Sequence, residues 1–195
     1  MELKLPEPNK TTCLCQLLIK RRSIRKFRKE PLKLDELSQL LWTSYGLIDR
    51  RRRVVPSAGA TYPIELYLVV RDVEGVRPGV YRYIDQTHSL MLIKEGDYSW
   101  ELTRACLDQL WVKEAPVNII LVALYEKTTS WYGERGFRYI HNEAGHIGQN
   151  IYLASSEMSL GTVAIGAFHD NEVLNLIGLG NDYIALYVFP VGRPV

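Results

Sequence analysis

The sequence has few cysteines and lacks an apolar run long enough to cross a bilayer. Its longest apolar stretches, such as residues 117–125, fall well short of the roughly 20 residues that a membrane-spanning helix needs. The first ten residues, MELKLPEPNK, mix charges and prolines where a secretory signal would have an apolar core. We therefore expect no transmembrane helix and a cytoplasmic location.

The three cysteines do not form the pattern of a disulfide framework or a zinc site. Cys13 and Cys15 stand two residues apart in a segment predicted to be helical, so their side chains point in different directions. His141 and His146 flank Glu143, but five residues correspond to about 140° of helical rotation, unlike the histidine pair of an HExxH site. We expect buried, unreactive thiols and no metal.

Positive charge is concentrated, although the net charge is only +2. Seven of the ten residues from Lys20 to Lys29 are basic, and residues 50–53 are four arginines. These two runs hold 11 of the 24 basic residues, which leaves 13 against 22 acidic ones, a net charge of −9 elsewhere. The clustering favours one site for an anionic ligand. A nucleic-acid-binding basic module is the alternative from another class, and its affinity would fall as salt rises.

Helical and strand patterns are interspersed without strict alternation, which predicts an α+β fold, and 195 residues suit a single domain. The first predicted helix is capped by Thr11 or Thr12 and runs through Leu17. Further helices are predicted at residues 34–45, at residues 98–110 and in a short segment with Asp170 as its cap. The predicted strands are residues 65–70, 80–84, 89–93, 117–124 and 183–192, with residues 54–63 as a loop.

The clearest periodic element covers about residues 139–158. Apolar residues recur there at alternating steps of four and three, at Ile140, Ala144, Ile147, Ile151, Ala154 and Met158. Gly145 and Gly148 lie inside this predicted helix, and glycine costs about 1 kcal/mol in a helix interior, often tolerated where another backbone approaches closely. This helix could pack under the protein's own sheet, in a subunit interface, or in both places, and the sequence leaves these alternatives open.

The segment RRSIRKF, residues 21–27, is dense in hydrogen-bond donors for a phosphate or another anion. Arg21 and Arg25 would lie one helical turn apart and point the same way, and Ser23 adds a hydroxyl. The plain alternative for such a run is a solvated basic surface.

Five segments follow one another in the order RRSIRKF, PSAGATYPIEL (residues 56–66), EAGHIGQN (143–150), LGTVAIGAF (160–168) and PVGRP (190–194). In this layout the sequence resembles the nitroreductase superfamily, and PSAGATYP is similar to its SagB-type dehydrogenase branch. The resemblance covers nearly the whole chain. It implies a nitroreductase-like fold with a central, mostly antiparallel sheet flanked by helices, and a long central helix at a dimer interface. It also implies a homodimer that holds FMN between its two subunits.

The resemblance assigns the basic residues to particular parts of FMN. Arg21 and Ser23 would hold the phosphate, while Arg22 and Arg25 would lie against the ribityl chain and the pyrimidine edge of the ring. Arg193 matches a position that completes the phosphate site. Guanidinium groups suit this task because a phosphate carries close to two negative charges at neutral pH.

Small residues are assigned to the flavin ring. The stretch whose backbone passes the reactive N5 corresponds to Ala164, Ile165, Gly166 and Ala167. The loop that packs on the ring from the partner subunit corresponds to Pro56, Ser57, Ala58 and Gly59. Many nitroreductases have a glutamate where Gly166 stands, so no carboxylate role is carried over. Aromatic candidates for lining the substrate pocket are Tyr62, Trp131 and Tyr132.

The resemblance implies an FMN-dependent oxidoreductase in which hydride passes through flavin N5 and no side chain acts as catalyst. NAD(P)H would reduce the flavin in the pocket that later takes a small-molecule or peptide substrate, which fits the lack of a GxGxxG motif after a strand. Two reactions remain open: reduction of nitro or quinone-type compounds, and SagB-type dehydrogenation such as oxidation of azoline rings in a modified peptide. A flavin-fold protein that only binds a ligand is the third alternative.

Overall fold

The computed structural model describes residues 6–195 and is built around a six-stranded sheet. The strands are β1 (Ile64–Val70), β2 (Gly79–Ile84), β3 (Ser89–Glu95), β4 (Val117–Leu124), β5 (Gly161–Thr162) and β6 (Tyr183–Gly192). Their order across the sheet is β3-β2-β1-β4-β6-β5, and all neighbouring pairs are antiparallel. The predicted α+β fold with an antiparallel central sheet is confirmed.

Helices cover both faces of the sheet. They are α1 (Cys13–Lys20), α2 (Leu34–Tyr45), α3 (Ser99–Ala105), α4 (Trp111–Glu114), α5 (Glu126–Tyr132), α6 (Arg135–Glu157) and α7 (Asp170–Ile177). Thr12 caps α1 as predicted, because its hydroxyl accepts a hydrogen bond from Cys15 N at 3.3 Å. Between residues 6 and 195, none of the helices has the length and apolar character that a membrane span requires.

The side chains of each strand alternate between two apolar cores. On β1, Leu66 and Leu68 face the core that includes α2 and α6, whereas Tyr67 and Val69 face the core that includes α3, α4 and α7. Strand β4 is buried on both faces, which is why its sequence is continuously apolar instead of alternating.

The long helix α6 begins at Arg135, a few residues before the predicted start, and lays its apolar stripe on the sheet. A Cβ atom on Gly148 would meet Phe189 Cζ at 3.0 Å, whereas a Cβ on Gly145 would meet nothing within 4 Å. Gly148 therefore lets α6 approach β6 within the chain. Gly145 leaves an open place on the outer surface of the same helix.

The helix predicted over residues 98–110 ends early, at Ala105. Leu107 and Asp108 both have φ +56°, a left-handed conformation that a right-handed helix cannot continue. The expected cap of α7 is also wrong by one position, since His169 is the N-cap and Asp170 is the first helical residue.

The expectation of buried cysteines is correct for one residue of the three. Cys13 is exposed and Cys15 is partly exposed, because α1 buries none of its residues fully. Cys106 is buried, and this burial raises the pKa of its thiol to about 12, so it stays protonated and unreactive at neutral pH.

Candidate functional site

Residues 21–27 form an extended segment and do not continue α1, which ends at Lys20. Ser23 forms a β-bridge with Thr162, and Ile24 N donates to Thr162 O at 2.9 Å. The expectation that Arg21 and Arg25 share a helical face is therefore wrong. Arg21 and Ser23 both lie at Tyr152, whereas Arg25 lies at Trp111.

Tyr152, on α6, joins this segment to residues 162–167. Its hydroxyl lies 2.9 Å from Ser23 Oγ and accepts a hydrogen bond from Ala164 N at 2.9 Å. The guanidinium carbon of Arg21 lies 5.1 Å from the centre of the Tyr152 ring. Residues predicted for the phosphate and for the flavin ring thus meet around one tyrosine side chain.

Arg25 and Arg22 have different surroundings. The guanidinium carbon of Arg25 lies 5.9 Å from the ring centre of Trp111. Two residues before Trp111, Gln109 Nε2 donates to Ala167 O at 3.1 Å. Arg22 instead lines a separate cleft of about 190 Å³ with Ile24, on the other side of the extended segment.

Residues 164–167 run beside β6 with small side chains. Ile165 is buried and exchanges two backbone hydrogen bonds with Val188, at 2.9 and 3.0 Å. Gly166 and Ala167 are exposed. A flat ring can approach this backbone closely because only a hydrogen atom and a methyl group project from the two exposed positions.

Arg193 is held by two carboxylates. Its Nη2 lies 2.9 Å from Glu36 Oε1 and 3.1 Å from Oε2, and its Nε lies 3.4 Å from Glu30 Oε2. A guanidinium engaged in this way has fewer donors free for a phosphate. The role of Arg193 in the phosphate site therefore stays a prediction.

The loop predicted to touch the ring, from Pro56 to Gly59, contacts the opposite half of α6. Ser57 is one of the polar groups that oppose the rise in the pKa of Glu143, and a Cβ on Gly59 would lie 2.6 Å from the hydroxyl of Tyr132, at the end of α5. Glu143 and Tyr152 are nine residues apart, which is about 13.5 Å along a helix axis. Within one chain the two predicted halves of the site are therefore anchored at separate points.

The aromatic residues predicted for the substrate pocket lie near this loop or on its flank. Tyr132 packs against Gly59, and the Tyr62 backbone N donates to Ser57 Oγ at 3.0 Å. Trp131 is 80% exposed. Tyr62 also lines a cleft with Tyr45 and Arg53.

Glu143 is a residue that sequence reasoning missed. It is 3% exposed, and the Tyr45 hydroxyl donates to its Oε1 at 2.7 Å. Burial raises the pKa of Glu143, while hydrogen bonds from Ser57 and Tyr45 and the charges of Arg53 and His146 oppose this rise. The available signal was its position, three residues after Ile140 and four before Ile147, on the apolar stripe of the helix.

Arg53, the last residue of the second arginine run, is held within the fold. Its side chain is 14% exposed and contacts Asp85. Its guanidinium carbon lies 4.8 Å from the ring centre of Tyr45 and 4.4 Å from that of Tyr62. The other three arginines of the run are exposed.

Comparison with known proteins identifies the family. A model of the nitroreductase family matches residues 18–193. Over 196 aligned residues the chain is 47% identical to the Methanocaldococcus jannaschii protein named "Putative nitroreductase MJ1384", and the match covers all of this chain and 98% of that protein.

Solved structures share the fold. A "putative nitroreductase" from Anabaena variabilis superposes with a TM-score of 0.84 at 33% identity, covering 93% of this chain but only 38% of that longer one. A chain of the Escherichia coli microcin synthetase McbBCD complex gives 0.78 at 21% identity, covering 98% of this chain and 75% of that one. The NADPH:FMN oxidoreductase of Vibrio harveyi gives 0.67 at 18% identity, covering 92% and 67%. The chain therefore belongs to the nitroreductase family of oxidoreductases.

Proposed function

We propose that this chain is a single FMN-binding domain that works as a homodimer, using NAD(P)H to reduce nitro or quinone-type compounds. The observation that carries the proposal is the meeting of Arg21, Ser23 and Ala164 around Tyr152. This arrangement puts cationic and hydroxyl donors beside a stretch of accessible backbone, which suits a ligand with a phosphate at one end and a flat ring at the other.

The donor set fits the phosphate of FMN. Guanidinium groups give charge-assisted hydrogen bonds to phosphate oxygens, and Arg21 lies with Ser23 at the Tyr152 side chain. When bound, the flavin would supply the hydride transfer. The residues of the chain would bind it, orient its ring against residues 164–167 and exclude water from it.

The proposed homodimer follows from the separation of the two half-sites. If two copies of α6 pack antiparallel about a two-fold axis near the middle of residues 143–152, the 56–59 loop of one subunit approaches Arg21 and Ser23 of the other. Gly145 lies close to this midpoint and leaves open space for a second backbone. Helix α1 supports the same view, because Leu14, Leu18 and Ile19 are exposed in the isolated chain.

The test is a titration of purified protein with FMN, followed by anaerobic addition of NADH or NADPH. We expect a yellow dimer whose flavin bands bleach with one or both nicotinamides. Arg21→Ala should lose retained flavin, while Arg28→Ala, a matched change at an exposed arginine directly after this segment, should keep it. Protein that is colourless after incubation with excess FMN and removal of the unbound flavin, and that sediments as single chains, would contradict the proposal.

Dehydrogenation of a modified peptide is the second candidate. The fold of this chain is similar to that of a chain in the E. coli microcin synthetase complex, which was solved with truncated pro-MccB17 bound. The sequence of residues 56–63 is also similar to that of SagB-type dehydrogenases. In this case substrate would reduce the flavin and another acceptor would reoxidise it. A flavin that neither nicotinamide bleaches, but that an azoline-containing peptide bleaches, would favour this function.

A further inference from the structure

A cavity of about 590 Å³ lies between α2 and the hairpin of β2 and β3. Strand β3 is the edge of the sheet opposite to β5, so the cavity is separate from residues 162–167, and residues 56–59 do not line it. Its volume is within the roughly 300–1,000 Å³ typical of sites for small ligands. Its apolar wall consists of leucines from α2 and β3, namely Leu34, Leu37, Leu41, Leu90 and Leu92.

Three polar side chains form a hydrogen-bonded chain on the wall of this cavity. Ser38 Oγ lies 2.7 Å from His88 Nε2, and His88 Nδ1 lies 2.7 Å from the Tyr83 hydroxyl. The rings of His88 and Tyr83 also meet edge to face, with their centroids 5.6 Å apart. His88 has φ +48°, a left-handed conformation that an ordinary residue keeps only where its contacts hold it. The imidazole of this exposed residue is therefore fixed at both nitrogens.

The chain of three side chains has one hydrogen to spare. A neutral imidazole and two hydroxyls carry three polar hydrogens, and the two hydrogen bonds between them use two. The third belongs to Ser38 or to Tyr83, depending on which nitrogen of His88 is protonated. Tyr83 is only 6% exposed, and a buried hydroxyl hydrogen without an acceptor costs free energy, so the form in which Tyr83 donates to Nδ1 is favoured. Ser38 then keeps a free hydrogen at the cavity, since His88 is its only hydrogen-bond partner among residues 6–195.

The charges on the cavity wall favour a neutral ligand. Arg77 lines the cavity, but its Nη1 is paired with Glu95 Oε1 at 3.0 Å. Asp35 also lines the cavity and, within the described part of the chain, has no ion-pair partner. A carboxylate ligand would be repelled by Asp35 without a free cation to offset the repulsion. An ammonium ligand would have no acceptor for the spare hydrogen of Ser38.

We propose that the cavity between α2 and β3 binds a small neutral molecule with an apolar body and a carbonyl oxygen, which accepts the spare hydrogen of Ser38. The leucines would surround the apolar body, and His88 would hold the Ser38 hydroxyl in the orientation that donates to the carbonyl. This arrangement of a mostly apolar wall with a few fixed polar groups is typical of small-molecule sites. The site is additional to the proposed flavin site and does not depend on it.

The test is an NMR titration of the ¹⁵N-labelled full chain in excess FMN, which keeps the proposed flavin site filled. Octanamide is the probe, and octanoate and octylamine are its charged analogues. We expect octanamide to shift the amide resonances of residues 34–41 and 88–92 with a Kd of about 1 mM or less, because it buries several methylene groups. The two charged analogues should bind at least about fivefold more weakly.

Ser38→Ala removes the donor and should raise the octanamide Kd about fivefold, the effect of one hydrogen bond. Thr43→Val is the matched control, because the Thr43 hydroxyl is on the same helix but donates to Gln39 O at 2.8 Å and does not line the cavity. His88→Asn removes the imidazole and keeps a residue that tolerates the left-handed backbone, so it should weaken octanamide binding as Ser38→Ala does.

The proposal is overturned if octanamide does not bind, if its shifts lie outside the cavity, or if octanoate or octylamine binds as tightly. An octanamide Kd that is equal in wild type and Ser38→Ala overturns the role of the Ser38 hydroxyl. Should Ser38→Ala fail to fold, an unchanged Kd in His88→Asn has the same meaning. Retention of FMN is measured separately on the same samples, so failure of the flavin assignment is distinguished from failure of this one.

Discussion

The hydroxyl of Tyr152 lies 2.9 Å from Ser23 Oγ, although 129 positions separate the two residues in sequence. A tyrosine hydroxyl has one hydrogen to donate. Because Tyr152 accepts from Ala164 N, that hydrogen is available for Ser23. The hydrogen of Ser23 itself is then free to point outward, toward an anion.

Tyr152→Phe should therefore weaken FMN binding without unfolding the protein. Loss of this hydroxyl removes the hydrogen bond that orients Ser23 toward the phosphate, and one such bond contributes about 1–2 kcal/mol, or a Kd increase of roughly five- to thirtyfold. Fluorescence titration of FMN measures the change. Tyr139→Phe, on the same helix, is the control. An equal Kd for FMN in the two variants would mean that the Tyr152 hydroxyl does not contribute to FMN binding.

Gly145→Arg should abolish the dimer while leaving the subunit folded. A Cβ at Gly145 meets nothing within 4 Å in its own chain and the position is exposed, so the substitution costs little there, but a bulky charged group would keep a second α6 at a distance. Sedimentation velocity should show single chains with native circular dichroism and little retained flavin. A dimer that persists with bound flavin would place the subunit contact elsewhere.

Gly148→Ala tests the inner side of the same helix. The added Cβ would lie 3.0 Å from Phe189 Cζ, and Phe189 is fully buried between the rings of Tyr152 and Tyr187. Overpacking costs about 1–3 kcal/mol, against about 1 kcal/mol gained from helix propensity, so we expect a modest loss of stability. Urea denaturation should show that Phe189→Leu, which shortens the opposing side chain, removes this loss. Equal effects of Gly148→Ala in both backgrounds would contradict the contact.

Local patterns in the sequence predicted the elements whose packing is simple. The apolar stripe of α6, the continuous apolar run of β4 and the hairpin of β2 and β3 were all visible, because burial on one or two faces leaves a periodic trace. The extended form of residues 21–27 was not visible. It depends on a bridge to Thr162, far along the chain, which no local pattern reports.

The family resemblance selected the site segments, but their arrangement needed the structure. Resemblance alone did not reveal that Tyr152 joins Ser23 to Ala164, or that Arg22 faces away from Arg21. The inward positions of Glu143 and Arg53 were also hidden, since a charged residue in sequence is normally assigned to the surface. An acidic residue on an apolar stripe was the one local sign of it.

The pH dependence of stability should report the buried state of Glu143. Its pKa is raised by burial above the ordinary value for glutamate, so the folded protein keeps this proton at pH values where the unfolded chain has released it. The contribution of Glu143 to stability is then greatest below the unfolded pKa, falls as pH rises through the window up to the folded pKa, and is constant above it. Glu143→Gln has no proton to lose and lacks this slope. Urea denaturation of both proteins from about pH 4 to about pH 8 should show the stability of wild type, relative to Glu143→Gln, decreasing with pH. A difference that stays constant or increases with pH would mean that the carboxyl ionises in the folded protein as easily as, or more easily than, in the unfolded one.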